Sequence, residues 1–418
     1  MQGVRTVILD NGTKVLLKKL FHTKKTFILV GFKTGSIDET KDNAGLRHLV
    51  EHMLFKSKAA RKTVEELEHN GAIVNAFTSL HETGFHLKVS SLLAPAALRT
   101  VFQMFINRES SAKEFEKEKG VVLDEVENDA DVPIYKSRAI ILPGVLFGDT
   151  SMGRPIEGFF ETVSKLTEND IHEVLDNFYV PNNSVIIVVG RFDEPEILKT
   201  INETFGTLPL SPKKVEHFYP KIEISNTRTI KVVKRSGSRS QIYICLGYKL
   251  PGLHELRPDI FKLKVLDAIF SAGMSSRFFI ELREKRGIGY GVGTLFDDNI
   301  PASAFYAYID GFYKRRFNLA IKTIVNQFNA LKINLVEERE LERAKNQLIS
   351  QYEDILEELD YTAISLMQRE FHKIPYDFTR LPSYIKKVCP EDLRDVARRY
   401  LTDDYTLTAL VPEDFDLF

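Results

Sequence analysis

Apolar residues follow two spacings along the chain, and each spacing predicts one kind of element. Alternation at every second residue and short apolar runs are typical of strands, whereas apolar residues three and four apart are typical of helices. Strands are therefore predicted at residues 1–10, 26–34, 73–78 and 83–89. Helices are predicted at residues 44–55, 112–129 and 336–370, and the last two carry a charged face that is expected to meet water.

Two segments of the chain repeat the same order of elements, which predicts an internal duplication. Residues 166–192 and 388–414 each read as a helix, an aromatic residue, a turn and a β-branched run. At an offset of 222 positions the aligned pairs are Asp170 with Asp392, Ile171 with Leu393, Val174 with Val396, and Phe178 with Tyr400. Short strands at residues 5–7 and 228–230, which open the two halves, are a second point of similarity.

The segment 207–225 separates the two repeats and is predicted to be a linker. It holds three prolines and shows little periodicity. The predicted domains are therefore residues 1–206 and residues 226–418. Because strands and helices mix without strict alternation, we predict an α+β fold of two duplicated halves, each a mainly antiparallel β-sheet backed by helices.

The composition excludes several classes of function. The 418 residues include 57 Lys and Arg and 58 Asp and Glu, and the net charge of -1 lacks the basic excess of nucleic-acid-binding proteins. No run approaches the roughly 20 apolar residues that cross a bilayer, and the N-terminus has no basic region followed by an apolar core. We therefore expect a cytoplasmic protein without nucleic-acid or membrane partners. Cys245 and Cys389 lie in no metal motif and are predicted to be small buried side chains.

The strongest chemical signal is the sequence HLVEH at positions 48–52, inside the predicted helix 44–55. His48 and His52 are four residues apart, so on a helix both imidazoles project from one face and are within reach of one metal ion. Glu51 lies about 100° round the helix from His52, where it can take a proton from a zinc-bound water. Zinc is therefore the predicted cofactor, although cobalt and manganese suit the same ligands. The spacing disfavours the alternative of two unrelated surface histidines.

A third protein ligand is expected from the acidic helix at 112–129. Glu118 and Glu125 are seven residues apart, so they lie on the same side of that helix. Glu127 is an alternative by proximity, although it points away from Glu125. A helix this rich in Glu and Lys usually exposes its charges to water, so the choice of these acids depends on the histidine pair.

Together these motifs resemble the pitrilysin and mitochondrial processing peptidase family of zinc metallopeptidases, in which the HxxEH order is inverted relative to HExxH. In that family an E-x6-E segment supplies the third ligand from its second Glu and a supporting acid from its first. The resemblance therefore implies that Glu125 joins the two histidines as a zinc ligand, that Glu118 supports a ligand, and that Glu51 is the catalytic base.

Two further segments are similar to substrate-contacting motifs of the same family. The first consists of Asn75, Ala76, Phe77 and Thr78. It resembles an edge strand that accepts a peptide substrate as an added strand, although on its own it reads as an ordinary half-buried strand. The second is LREKRGIGY at 282–290, where the resemblance implies that Arg283 and Tyr290 contact substrate near the scissile bond and help to stabilise the oxyanion.

The resemblance also implies a mechanism and an assembly. Zinc lowers the pKa of its bound water, Glu51 takes the proton as the hydroxide attacks a peptide carbonyl, and Glu51 then passes the proton to the leaving amine.

The family encloses substrate between two double-domain units, so this single unit is expected to form a homodimer with one zinc ion per chain. A heterodimer with a family partner is the alternative. Such a chamber would admit unfolded peptides and short oligopeptides. A non-catalytic scaffold subunit and a protein that binds peptides without cutting them are the competing functions.

Overall fold

The computed structural model describes residues 3–108, 111–212, 215–235, 241–374, 376 and 380–416. Its strands are β1 Val4–Ile8, β2 Lys14–Lys19, β3 Lys25–Phe32, β4 Ile73–Thr78, β5 Thr83–Ser90, β6 Ser184–Gly190, β7 Thr229–Arg235, β8 Gln241–Pro251, β9 Gly291–Asp297, β10 Ala302–Tyr313 and β11 Thr406–Pro412. Its helices are α1 Leu46–Leu54, α2 Lys58–His69, α3 Ala94–Ile106, α4 Ala112–Asp131, α5 Pro133–Tyr135, α6 Leu142–Phe147, α7 Phe160–Val163, α8 Glu168–Phe178, α9 Glu194–Glu203, α10 Ile260–Ser271, α11 Phe317–Ile333, α12 Glu338–Glu357, α13 Leu359–His372, α14 Leu381–Ile385 and α15 Pro390–Tyr400.

The chain folds into two compact units, each made of several segments. Within the described residues, the first comprises Met1–Asn128, Thr150–Pro220 and Ile355–Lys373, and the second comprises Asp129–Asp149, Lys221–Asp354 and Ile374–Phe418. The predicted boundaries at residues 206 and 226 concern repeated stretches of sequence, whereas these units are defined by contacts in space, so those boundaries stay a prediction. Residues 1–2 of the first predicted strand and 213–214 of the predicted linker lie outside the described residues.

Each unit contains one sheet of the described residues, and the order of the second sheet repeats that of the first without β1. The first sheet runs β1-β2-β6-β3-β5-β4, and the second runs β7-β11-β8-β10-β9. In both, one pair is parallel, β2 with β6 and β7 with β11, and the remaining neighbours are antiparallel. The prediction of an α+β fold with two duplicated halves is confirmed.

The sheet orders also correct one detail of the predicted repeat. Residues 5–7 lie in β1, which pairs antiparallel with β2 at the outer edge of the first sheet. β7, which contains residues 229 and 230, instead pairs parallel with β11, as β2 pairs with β6. The counterpart of β7 is therefore β2, and the proposed match between 5–7 and 228–230 is wrong, because local sequence similarity does not report which neighbour a strand has.

β3 is covered on both faces, which accounts for its almost unbroken apolar sequence. Ile28 and Val30 belong to the same buried cluster as Leu49 of α1. Phe27 and Leu29 point to the other face and pack in a second cluster. Because Leu49 is fully buried in this cluster and α1 packs against β4 and α8, the helix is held rigidly.

The second cluster is completed by a helix that comes from the far end of the chain. The single helix predicted at 336–370 is wrong: α12 ends at Glu357 and α13 begins at Leu359, with Glu358 extended at φ -82° and ψ 129°. The buried side of α13 consists of Leu359, Ala363, Leu366 and Met367, which pack against β3 and β6 of the first sheet. The break has a tertiary cause, because it lets this apolar side meet the uncovered face of that sheet.

The two cysteines have different environments. Cys245 is buried in β8, as predicted, whereas Cys389 is exposed, so the prediction for that residue is wrong. Cys389 occupies the N-cap of α15, where its backbone N–H donates to Asp392 Oδ2 over 3.0 Å. Capping, rather than core packing, determines its position. Among the described residues, the longest helices are too polar to cross a bilayer.

Candidate metal centre

A tight glycine turn sets the start of α1, the helix that carries the two histidines. Gly45 is the N-cap residue, with φ +94° and ψ -2°. A Cβ at this position would lie 2.4 Å from the carbonyl oxygen of Glu157. Only glycine meets both the positive φ and the close approach without strain. The turn therefore fixes where the first helical residues begin.

A buried carboxylate caps the same helix. Glu39 accepts hydrogen bonds from the backbone N–H of Gly45 at 2.9 Å and from that of Arg47 at 2.7 Å. Burial raises the pKa of Glu39 to about 7, although the charge of Arg47, the two backbone donors and Arg154 act in the opposite direction. A carboxylate at the N-terminus also complements the helix dipole. The two hydrogen bonds to Glu39 therefore fix the position of the N-terminus of α1.

The three predicted ligands, from α1 and α4, lie close together in the structure. His48 Nε2 lies 4.0 Å from Glu125 Oε1, and His52 Nε2 lies 3.6 Å from Glu125 Oε2. One ligand atom from each residue falls within 4.8 Å of the others, and no other such group of three is found in the described part of the chain. Ligands about 2.1 Å from a tetrahedral zinc ion are about 3.4 Å apart, so this spacing suits one ion with little adjustment.

The chemistry of the donor set also suits zinc. Burial, together with the neighbouring His52, lowers the pKa of His48 to about 4, so its imidazole is neutral and able to ligate at neutral pH. Two imidazoles and one carboxylate form the ligand set of many catalytic zinc sites, which keep a fourth position open. The side chain of Glu125 is 42% exposed, so solvent reaches this side of the group. Glu127, the alternative third ligand, is exposed and lies outside the group.

Glu118 orients His52 through Nδ1, the ring nitrogen that does not face the other two ligand residues. Its Oε1 lies 2.9 Å from His52 Nδ1 and 2.9 Å from Lys56 Nζ. Burial raises the pKa of Glu118, but the hydrogen bonds and charges of Lys56 and His52 outweigh it and lower the pKa overall. The ionised carboxylate accepts a hydrogen bond from Nδ1–H, which leaves Nε2 of His52 facing the other two ligand residues. The predicted supporting position of Glu118 thus has a geometric basis.

Glu51 lies outside the ligand group but is held beside it. The hydroxyl of Thr78 donates to Glu51 Oε2 over 2.6 Å. Burial raises the pKa of Glu51, while Thr78 and His52 lower it and Glu125 raises it further. A carboxylate with a raised pKa and one oxygen free of Thr78 is suited to accept and return a proton.

The strand that contains Thr78 is at the edge of the sheet. β4 is the last strand in the order of the first sheet and pairs on its inner side with β5. Asn75 is exposed on it, and Ala76, Phe77 and Thr78 are partly buried. The outer backbone edge of β4 has no strand partner among the described residues, which is the geometry that strand addition requires.

Arg283 and Tyr290 lie in the second unit, where the structure brings them together. Arg283 is on the π-helical segment Phe279–Glu284, and its guanidinium lies 4.3 Å from the ring centroid of Tyr290. Arg283 Nη1 also donates to the carbonyl oxygen of Tyr290 over 3.4 Å. Tyr290 is 80% exposed. The pair therefore presents a cation and a phenol to solvent, and its role in substrate contact stays a prediction.

Two contacts at the site were not anticipated from the sequence. Lys56 belongs to none of the motifs, although its position four residues after His52 indicates that it faces the same side. Thr78 was a candidate only for substrate binding, whereas its hydroxyl contacts Glu51. That second contact joins residues 27 positions apart, so only the folded chain reveals it.

Known proteins match the chain over nearly its whole length. Residues 14–156 match the family model described as Insulinase (Peptidase family M16), and residues 165–348 match the one described as Peptidase M16 inactive domain. The chain belongs to peptidase family M16. This confirms the resemblance to pitrilysin-like metallopeptidases. The first match contains the whole HxxEH and E-x6-E region, and the second contains Arg283 and Tyr290.

One relative and two solved structures match the chain over nearly the whole of their own length. Uncharacterized zinc protease YmxG of Bacillus subtilis is 28% identical over 410 residues, which cover 96% of this chain and 97% of that protein. A protease from Helicobacter pylori has the same fold, with a TM-score of 0.92 and 23% identity over 98% of this chain and 99% of that one. A peptidase M16 inactive domain from Pseudomonas fluorescens also shares the fold, with a TM-score of 0.86 and 19% identity over 98% of each chain.

Proposed function

We propose that this M16 protein is a zinc-dependent endopeptidase that hydrolyses unfolded peptides or short oligopeptides. The observation that carries the proposal is the convergence of His48, His52 and Glu125 within 4.8 Å, with Glu51 beside them but outside the group. Structural zinc sites almost always have four protein ligands, whereas catalytic sites have three and keep one position open, and the group here has three. The names of the relatives as zinc proteases agree with this chemistry.

The residues of the chain divide the work at the scissile bond. Zinc, when bound, supplies Lewis acidity to the peptide carbonyl and to a water molecule. Glu51 takes the proton of the attacking water on the oxygen that does not bind Thr78, and returns it to the leaving amine. Thr78 restrains the Glu51 carboxylate by its 2.6 Å hydrogen bond, so the proton acceptor is oriented before substrate arrives.

Substrate is held by the backbone rather than by a side-chain pocket. A peptide that adds to the outer edge of β4 forms main-chain hydrogen bonds, which give affinity with little sequence preference. The exposed Asn75 borders that edge. We assign Arg283 and Tyr290 to substrate contact as well, because together they offer a cation and a hydroxyl to a developing oxyanion.

A homodimer with one zinc ion per chain is the assembly that we propose. The resemblance to enzymes that enclose peptides between two double-domain units supports it, as does the presence of both the zinc motif and the Arg283 and Tyr290 pair in one chain. Light scattering coupled to size-exclusion chromatography tests this assembly. A mass of twice 47.8 kDa is expected for the chain alone, whereas a stable monomer contradicts it, and a requirement for a second family protein indicates a heterodimer.

The experiment combines metal analysis with a quenched fluorescent peptide. Wild type and Glu51→Gln are each loaded with zinc, assayed and then treated with a chelator. We expect about one zinc ion per chain in both proteins, cleavage by wild type alone, and loss of cleavage on chelation with recovery on adding zinc. One protein of the same fold is described as an inactive domain, so an absence of cleavage would also have a clear interpretation. Zinc binding without cleavage would indicate a scaffold subunit, and peptide affinity unchanged by the chelator would indicate a binding protein.

A further inference from the structure

Three side chains, His48, His52 and Lys56, follow one another at four-residue intervals from α1 into the turn after it. Each of them faces an acid of α4. Lys56 Nζ lies 2.9 Å from Glu118 Oε1, the same oxygen that lies 2.9 Å from His52 Nδ1. The backbone N–H of Lys56 donates to the carbonyl oxygen of Met53 at 3.0 Å, so the residue is tied to the end of α1. One carboxylate oxygen thus receives two donors that are a single helical turn apart.

The contact between Lys56 and Glu118 is largely removed from water. The side chain of Glu118 is 6% exposed and that of Lys56 is 30% exposed. A buried carboxylate requires charged or polar partners, and with Lys56 removed Glu118 would keep the hydrogen bond to His52 as its one side-chain partner among the described residues. Glutamate has three rotatable side-chain bonds, so a carboxylate that loses one of two anchors gains alternative rotamers that do not meet His52.

We propose that Lys56 is a positioning residue of the metal centre, which holds Glu118 in the place where it orients Nε2 of His52 toward the metal. The inference rests on the zinc site of the proposed function and deepens it. Lys56 is not a member of the ligand group, and among the described residues its ion pair is with Glu118. The neighbouring ion pair of Arg61 with Glu114 joins α2 to the preceding turn of α4, but both of its residues are more exposed than Glu118 and neither is bonded to a ligand.

If Lys56 acted only through its charge, its removal would strengthen zinc binding, whereas a positioning role predicts weaker binding. The direction of the change in zinc affinity therefore tests the proposal. A lysine near a divalent cation repels it, so the loss of the charge alone would tighten zinc binding. Loss of the positioning contact would weaken zinc binding, because the histidine ligand would be less well oriented. Lys58 is a matched control, since it is exposed two residues later and has no ion pair among the described residues.

The test measures the zinc dissociation constant of the full chain by competition with a chelator, using zinc alone as the probe. Lys56→Met is expected to weaken binding by about tenfold, the lower end of the effect of outer-shell partners. Lys56→Arg, which keeps the cation, should remain within about threefold of wild type. Lys58→Met should leave binding unchanged or slightly tighter. The melting temperatures of the metal-free proteins report whether each variant folds, and Lys56→Gln replaces Lys56→Met if the latter does not.

A double-mutant cycle shows whether Lys56 acts through Glu118. In a Glu118→Ala background, Lys56→Met should add less than about a twofold change, because the residue that transmits its effect is gone. Unchanged or tighter zinc binding by Lys56→Met overturns the proposal, and so does an equal effect in both backgrounds. Peptide cleavage by wild type is recorded in the same samples. Zinc-binding wild type that cleaves nothing refutes the proposed enzyme and leaves the Lys56 inference standing, whereas wild type that binds no zinc refutes both.

Discussion

Thr78 donates its hydroxyl hydrogen to Glu51 Oε2 over 2.6 Å, and this bond ties the edge strand β4 to helix α1. The second unit contains the same contact: Thr294 of β9 donates to Asp267 Oδ1 of α10, also over 2.6 Å. Both members of the second pair lie 216 positions after their counterparts. At that offset Lys264 and Ala268 stand where the first half has its two histidines. The duplication has therefore kept an acid and a threonine in both halves but the imidazole pair in only one.

The threonine contact predicts a specific kinetic effect. Thr78→Val keeps the shape of the side chain but removes the donor, and a hydrogen bond to a charged group contributes about 1.5–3 kcal/mol. We expect kcat to fall about tenfold to hundredfold with KM and zinc affinity nearly unchanged, because Glu51 loses its orientation and no ligand is altered. Steady-state assays with a quenched peptide measure this.

Thr294→Val is the matched control, since it removes the equivalent bond in the other half. It should leave kcat near the wild-type value in the folded protein. If Thr78→Val and Thr294→Val reduce kcat alike, the Thr78 bond has no special role in proton transfer.

The third ligand is tested by two neighbouring acids on one helix. Glu125→Ala removes a member of the ligand group and is expected to weaken zinc binding about hundredfold or more. Glu127→Ala changes an exposed acid two residues away and should leave affinity unchanged. Isothermal titration calorimetry of the metal-free proteins with zinc compares the affinities of the two variants. A larger effect of Glu127→Ala would mean that the ligand was assigned to the wrong acid.

Much of this site could be predicted from the sequence because its signals are local. The HxxEH spacing and the seven-residue spacing of Glu118 and Glu125 each depend on the helix period alone. The break at Glu358 could not be predicted, since no Gly or Pro marks it and its cause is the uncovered face of a sheet more than 160 residues earlier in the chain. The pairing of Thr78 with Glu51 depends in the same way on two elements meeting in space.

Replacing glycine by alanine is expected to have opposite effects on stability at Gly45, in the turn before α1, and at Gly120, inside α4. Gly45→Ala forces a Cβ into a positive φ and to 2.4 Å from a carbonyl oxygen, which is expected to cost about 1–3 kcal/mol of the free energy of unfolding. Gly120→Ala lies inside α4, where the new Cβ would meet no atom within 4 Å beyond its chain neighbours and the backbone of its own helix, and should stabilise by up to about 1 kcal/mol. Melting temperatures should fall for the first variant and rise for the second. A rise for Gly45→Ala would show that the turn is not strained by a side chain.

A buried ion pair predicts how stability changes with pH. His372 of α13 lies 2.7 Å from Glu82 Oε2, and both side chains are about 5% exposed. Burial raises the pKa of Glu82, but hydrogen bonds and charge from His372, with help from His81 and Gln368, lower it overall. The folded chain therefore holds this carboxylate ionised at pH values where the unfolded chain protonates it. The resulting stability is present above about pH 4.3, the ordinary value, and is lost as the pH falls through the lowered folded value.

Urea unfolding of Glu82→Gln against wild type measures this contribution. Near neutral pH the variant should lose about 1–3 kcal/mol, because it removes the buried carboxylate that His372 hydrogen-bonds, and the difference should shrink as the pH falls below 4. Glu370 lies on α13, as His372 does, and forms a partly exposed ion pair with Lys14 of β2. Glu370→Gln removes that pair and should cost less than about 1 kcal/mol. A difference between wild type and Glu82→Gln that grows on acidification would contradict the assigned direction.

Anomalous X-ray diffraction at the zinc edge, from crystals of the zinc-loaded full chain, tests the central claim most directly. The account predicts one strong peak per chain, about 2.1 Å from His48 Nε2, His52 Nε2 and a carboxylate oxygen of Glu125, with Glu51 outside the coordination sphere. A peak elsewhere, or no peak between the two imidazoles, would contradict it.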